Sequence, residues 1–179
     1  AQFVATNYQL KLQSSSANSL ILKNIGTGSS ILVLGTVDAG NSLDMQAPTI
    51  DTNSGAVVNA GAGPALVTAT TLTNAGIIRS SGLLPVAAPT PNNSGPLQRT
   101  GAHTTINTTT FNNDGVVRST PGGQITITNS TANPLAIAGT GSLISGFLSL
   151  ASNGALNFTQ QFVLGAIDVK AAGNIGISI

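Results

Sequence analysis

The stretch that decides the fold is Val67-Thr68-Ala69-Thr70-Thr71-Leu72-Thr73-Asn74-Ala75-Gly76-Ile77-Ile78-Arg79-Ser80, because the chain repeats it. Shifted by 39 residues without a gap, it falls on Ile106-Asn107-Thr108-Thr109-Thr110-Phe111-Asn112-Asn113-Asp114-Gly115-Val116-Val117-Arg118-Ser119. Apolar positions match apolar, Asn-x-Gly matches Asn-x-Gly, and Arg matches Arg. Half that offset recurs elsewhere: Asn53, Asn74, Asn93, Asn113, Asn133, Asn153 and Asn174 follow at steps of 21, 19, 20, 20, 20 and 21. A turn residue returning every ~20 residues, between apolar runs too short for helices, marks a β-solenoid.

The physical logic is that one coil of two or three short strands cannot bury its apolar face alone. Stacking coils ~4.8 Å apart pairs each strand with its successor and sets like residues on like. At the turns an Asn amide bonds the coil above and below, and Gly supplies positive φ without steric cost. Runs such as Ile31-Leu32-Val33-Leu34, Ile125-Thr126-Ile127, Phe147-Leu148-Ser149-Leu150 and Ile175-Gly176-Ile177 supply the strands. The expectation is an all-β fold, a parallel β-solenoid of eight or nine coils forming a single domain over residues 1–179. The alternative is a β-sandwich, which also places strands every 8–12 residues.

Composition points the same way. Gly, Thr, Ser and Asn make up 78 of the 179 residues, and only 6% are charged, with no Glu. Exposed helix surface is normally filled with Lys and Glu, so a helical protein is excluded. A net charge of +1 without clustered Lys/Arg argues against a nucleic-acid partner. With 41% hydrophobic residues in regular runs, the chain has enough apolar material to fold. There is no Cys, and no apolar run approaches the ~20 residues of a membrane-spanning helix. A neutral chain that works without disulfides or salt bridges suits the outside of a cell.

Two segments break the pattern. Residues 83–101 carry four Pro within twelve positions, Pro85, Pro89, Pro91 and Pro96, and each Pro removes a ladder donor. They are expected to form a loop or a coil bulging from the stack. Residues 1–13 alternate Val4, Thr6, Tyr8, Leu10 and Leu12 with Ala5, Asn7, Gln9 and Lys11, and read as one long amphipathic strand.

Leu72-Thr73-Asn74-Ala75-Gly76-Ile77-Ile78, Phe111-Asn112-Asn113-Asp114-Gly115-Val116-Val117 and the segment Ala171-Ala172-Gly173-Asn174-Ile175-Gly176-Ile177 carry a family likeness. With these, the sequence over roughly residues 50–179 resembles right-handed parallel β-helices of the filamentous-haemagglutinin and autotransporter-adhesin type. The resemblance implies a secreted, surface-exposed bacterial rod. The Asn-Pro-Asn signature of that family's secretion domains is missing; Asn133-Pro134-Leu135 does not reproduce it.

Reagents for catalysis are scarce. A β-helix glycosidase needs paired carboxylates, yet Asp114 sits in a turn and Asp168 shares a strand with Lys170. Asp38, Asp44 and Asp51 lie within about one coil, but their spacing matches no calcium loop. His103 has no Cys, Glu or second His to work with. No catalytic, cofactor-binding or metal residue is assigned, and no cofactor is expected. Arg79, Arg99 and Arg118 are spaced 20 and 19, close to the coil period. On one edge they would form an anion- or glycan-attracting ladder.

The function expected is that of a secreted structural protein, a subunit of an extracellular filament or surface fibre. An adhesin module recognising glycan or a cell surface is the alternative, and a β-helix carbohydrate-active enzyme a weaker one. An uncapped coil is a strand edge seeking a partner. The first strand is amphipathic, the run Gly173–Ile179 is apolar, and both are free of acidic residues. Val4, Tyr8, Leu10, Leu12, Ile175, Ile177 and Ile179 are accordingly the residues expected to join one copy to the next, head to tail, by strand addition.

Overall fold

The structure, a computed structural model, describes residues 1–5, 9–100, 103–163 and 165–178. Among them are twenty strands and no helix, hydrogen-bonded into one continuous sheet. Strand pairing is parallel from end to end, from Gln2↔Ile21 to Phe158↔Ile177. A sandwich of antiparallel sheets is thereby excluded, and the parallel β-solenoid is the fold. Residues in register are mostly 19–23 apart, giving about eight turns.

Each turn has three faces. The first carries Gln2–Ala5, residues 19–23, 43–47 and 65–69, then Leu84–Ala87, His103–Asn107, Gln124–Asn129, Phe147–Ser152 and Ala166–Ala171. The second carries residues 9–12, 30–33, 49–52 and 71–74, then Thr90–Asn93, Thr110–Asn113, Leu135–Ala138, Leu156–Phe158 and Ile175–Ile177. The third carries residues 14–17 and 36–39, then Val57–Ala60, Ile77–Ser80, Pro96–Arg99, Val116–Arg118, Ser142–Ile144 and Gln161–Val163. Period-two alternation turns every second side chain inward, so apolar residues stack in rows along the axis. Leu22, Met45, Val67, Val86, Ile106, Ile127 and Leu150 form one such row, all buried. Val37, Val58, Ile78, Leu97, Val117 and Leu143 form another on the third face. Burying each Leu, Ile or Val side chain is worth about 1.5–3 kcal/mol, and that burial holds the coils together.

The corner between the second and third faces explains the Asn-x-Gly repeat. Asn74, Asn93 and Asn113 all point inward and are buried. Asn74 Nδ2 donates to Asn93 Oδ1 at 2.8 Å, and Asn93 Nδ2 donates to Asn113 Oδ1 at 2.6 Å. The Thr52 hydroxyl donates to Asn74 Oδ1, so Thr52 begins the ladder and Asn53 stays exposed outside it. One turn on, the ladder place is taken by Gly139, and Gln160 reaches across it to give the Asn113 carbonyl a hydrogen bond of 2.6 Å.

Glycine at this corner answers a different need from the one expected. Gly76, Gly95 and Gly115 do not have positive φ; Gly28, Gly55 and Gly139 do. Instead the backbones of successive coils nearly touch. A Cβ on Gly95 would lie 2.0 Å from the Gly76 carbonyl oxygen, and one on Gly115 2.3 Å from that of Gly95. Close approach, rather than turn conformation, selects glycine there.

Three further expectations are corrected. The ~20-residue Asn series mixes two corners: Asn133, Asn153 and Asn174 lie, exposed, between the first and second faces. The turn from Thr110 to Ala136 spans 26 residues, and that insertion moves the series from one corner to the other while its spacing hides the shift. Of the segment 83–101, the described residues 83–100 do not bulge out as a loop. Leu84–Ala87, Thr90–Asn93 and Pro96–Arg99 form a regular coil in register with its neighbours. Its prolines still accept: the Pro89 carbonyl takes the N–H groups of Thr109 and Thr110 at 3.1 and 3.0 Å. Finally, residues 1–13 are not one strand, because Gln2–Ala5 lies on the first face and residues 9–12 on the second. The inward-facing positions therefore change phase between Phe3 and Leu10.

Candidate functional site

Two features of the third face stand out from an otherwise uncharged surface. One is a polar row facing solvent. Asp38, Asn59, Arg79, Gln98 and Arg118 occupy the same register position in five successive coils. Asn59 Nδ2 donates to Asp38 Oδ1 at 2.6 Å, and Arg79 Nε donates to Asn59 Oδ1 at 3.1 Å. Arg79 and Arg118 thus share an edge, about 10 Å apart at two coil spacings, with Gln98 between them.

Arg99 does not belong to that row. It follows Gln98, so the pleat turns it inward, where the preceding coils have Ser80 and Ala60. It is 7% exposed. Its Nε donates to the Gly82 carbonyl, while Nη1 is buried without a hydrogen-bond partner among the described residues. Burial lowers its pKa from the usual arginine value, since desolvation disfavours the charged form. The expected three-arginine ladder is therefore an Arg-Gln-Arg row plus one interior arginine.

Arg99 lies at the second feature, a cavity of about 560 Å³ at the corner between the third and first faces. Arg118, Ser119, Pro121, Ile144 and Ser145 also line it. Ile144 and Ser145 come from a later coil and carry no motif, so no spacing along the chain associates them with the arginines.

The remaining candidates are dispersed. Asp38, Asp44 and Asp51 fall on the third, first and second faces and cannot converge. Asp44 pairs with Lys23 at 3.0 Å, and Asp168 with Lys170 at 3.0 Å. His103 is exposed. Among the described residues no three His, Cys, Asp or Glu side chains gather as a metal site would require. Asp114 accepts from the Thr140 N–H at 2.9 Å and the Thr140 hydroxyl at 3.1 Å. These bonds, with a third from Asn112, hold its carboxyl below the usual carboxylate range. It fastens the inserted turn to the coil before it.

Of the expected joining residues, Leu10, Leu12, Ile175 and Ile177 lie at core register, opposite Ile31, Val33, Leu156 and Phe158. Val4 faces outward, opposite Lys23, and Tyr8 and Ile179 lie outside the described residues. Phe3, opposite Leu22, and Ile167, opposite Leu148, hold core positions the sequence reading passed over. Recognising Phe3 required knowing that Gln2–Ala5 and residues 9–12 lie on different faces.

Comparison with protein-family models, with curated proteins and with solved structures found no match for this chain. No helix is long and apolar enough to cross a membrane among the described residues.

Proposed function

We propose that this chain is a structural element of an extracellular filament or surface fibre, in which solenoids join coil on coil. The observation that carries the reading is the unbroken parallel stack, whose coils repeat the same strand pairing and the same buried apolar rows along the axis. Phe3 is 54% exposed at one end, and Ile167, Ile175 and Ile177 are 41%, 50% and 47% exposed at the other, all at core register. All edges are parallel, so a head-to-tail contact continues the existing pairing, whereas a two-fold contact would force antiparallel pairing. Head-to-tail contacts do not close, and their product is a fibre. The sparse charge of the faces fits a rod held by main-chain bonds and apolar stacking. Kinship with filamentous-haemagglutinin and autotransporter-adhesin solenoids, and secretion to a bacterial surface, belong to the same proposal.

The test is sedimentation and negative-stain microscopy of the 179-residue chain beside the double variant Ile175→Lys/Ile177→Lys. Unbranched fibres with a rise of about 40 Å per copy are expected, together with folded monomers for the variant. Because both side chains are already half exposed, the substitutions leave the monomer folded. Monodisperse rods from the unaltered chain at high concentration, or fibres from both proteins, overturn the reading.

A further inference from the structure

We propose that the corner cavity over Arg99 is a binding site for a carboxylate borne on a sugar ring, the chemistry of a uronic-acid residue in an acidic glycan. The inference is independent of the filament reading, since the cavity lies on the flank of the rod.

Its starting point is a buried cation without a countercharge. Arg99 takes the place that Ser80 and Ala60 fill in the coils before it, so nothing in the repeat calls for a guanidinium there. The side chain is buried, one donor is held by the Gly82 carbonyl, and Nη1 has no acceptor among the described residues. The ion pairs among the described residues, Lys23–Asp44 and Lys170–Asp168, do not involve it. An uncompensated buried charge is among the costliest groups a fold can hold, and it persists where something outside the chain compensates it. An oxyanion admitted to the adjoining cavity supplies both the missing acceptor and the missing charge.

The walls narrow the class of anion. Arg118 lines the same cavity and adds a second positive charge at its solvent side. Guanidinium groups match the planar carboxylate with paired N–H donors. Pro121 and Ile144 provide apolar surface against which the C–H face of a sugar ring packs. A volume of about 560 Å³ admits a monosaccharide unit with room for its neighbours in a chain.

The experiment is calorimetric titration of the full chain, at constant ionic strength, with sodium D-glucuronate, sodium sulfate and uncharged D-glucose. Saturable binding of glucuronate, weaker binding of sulfate and none of glucose are expected. Arg99→Ser restores the residue of the preceding coil, and it should weaken glucuronate about 10- to 100-fold, as loss of a charge-assisted hydrogen bond implies. Arg118→Gln changes an exposed side chain only, keeps the fold, and should weaken glucuronate about 10-fold; it serves as the test if Arg99→Ser does not fold. No saturable binding of glucuronate, or unchanged affinity in Arg118→Gln or in folded Arg99→Ser, overturns the site. Sulfate binding as tightly as glucuronate overturns the sugar-ring assignment, and glucose binding equally well overturns the role of charge.

Discussion

Replacing Asn93 by alanine tests the ladder at its middle rung. Asn93 is buried and bonded on both sides, accepting from Asn74 at 2.8 Å and donating to Asn113 at 2.6 Å. Truncation leaves the Asn74 amide only a long contact of 3.5 Å to the Pro96 carbonyl, and it leaves Asn113 Oδ1 without its donor. Each buried group so orphaned costs about 1–3 kcal/mol, so the expected loss is about 2–5 kcal/mol. Asn92, the exposed neighbour on the same strand, should cost no more than about 0.5 kcal/mol when replaced by alanine. Asn93→Asp separates the two functions, because a carboxylate still accepts from Asn74 but faces Asn113 Oδ1 with oxygen. Its buried carboxyl has a raised pKa in the folded state, which then binds more protons than the unfolded one, so this variant loses stability as pH rises. Urea unfolding followed by circular dichroism reads the loss, with the slope compared between variants because stacked coils can unfold in parts. Amide exchange at Ser94, Gly95, Asp114 and Gly115, whose N–H groups bond the Asn74 and Asn93 carbonyls, localises it. If Asn93→Ala costs no more than Asn92→Ala, the ladder is not what holds this corner.

Gly95→Ala should destabilise by about 3 kcal/mol or more, because the new Cβ meets the Gly76 carbonyl at 2.0 Å and backbone cannot yield cheaply. Gly122→Ala, with no atom within 4 Å of the new Cβ, should stay within about 0.5 kcal/mol; the pair is measured by thermal unfolding. Phe111→Ala removes one of the two largest buried side chains and should cost about 3–5 kcal/mol in the same assay. For Asp114 the folded-state pKa is depressed by its bonds to Thr140, so its stabilisation is present above the unfolded pKa and lost as pH falls through the folded one. The amide signal of Thr140, followed by NMR, should therefore titrate with a midpoint below the ordinary carboxylate range, and Asp114→Asn should abolish the transition.

What the sequence by itself determined is the repeating unit. Stacked coils impose one chemical pattern on every turn, so the match of residues 67–80 with residues 106–119 exposes the solenoid directly. The amide ladder of Asn74, Asn93 and Asn113 was legible for the same reason: a side chain that bonds its own kind one coil away must recur at the coil length. Tertiary structure decided everything that depends on phase at a corner. Arg79, Arg99 and Arg118 are almost evenly spaced, yet the spacing of 20 and then 19 straddles a pleat of period two, and one residue of slip sends Arg99 into the interior. Phe3 and Val4 exchange roles for the same reason, since Gln2–Ala5 and residues 9–12 lie on different faces with different inward phases. Gly95 and Gly115 were recognisable as turn residues, but their need for hydrogen in place of a side chain arises from a carbonyl one coil away. The corner cavity draws Arg99 and Arg118 from adjacent coils and Ile144 from the next, across the 26-residue turn, so no spacing along the chain could have announced it. Local periodicity is written into a sequence because every coil repeats it, whereas a site between coils is made by whichever residues the corners happen to bring into register.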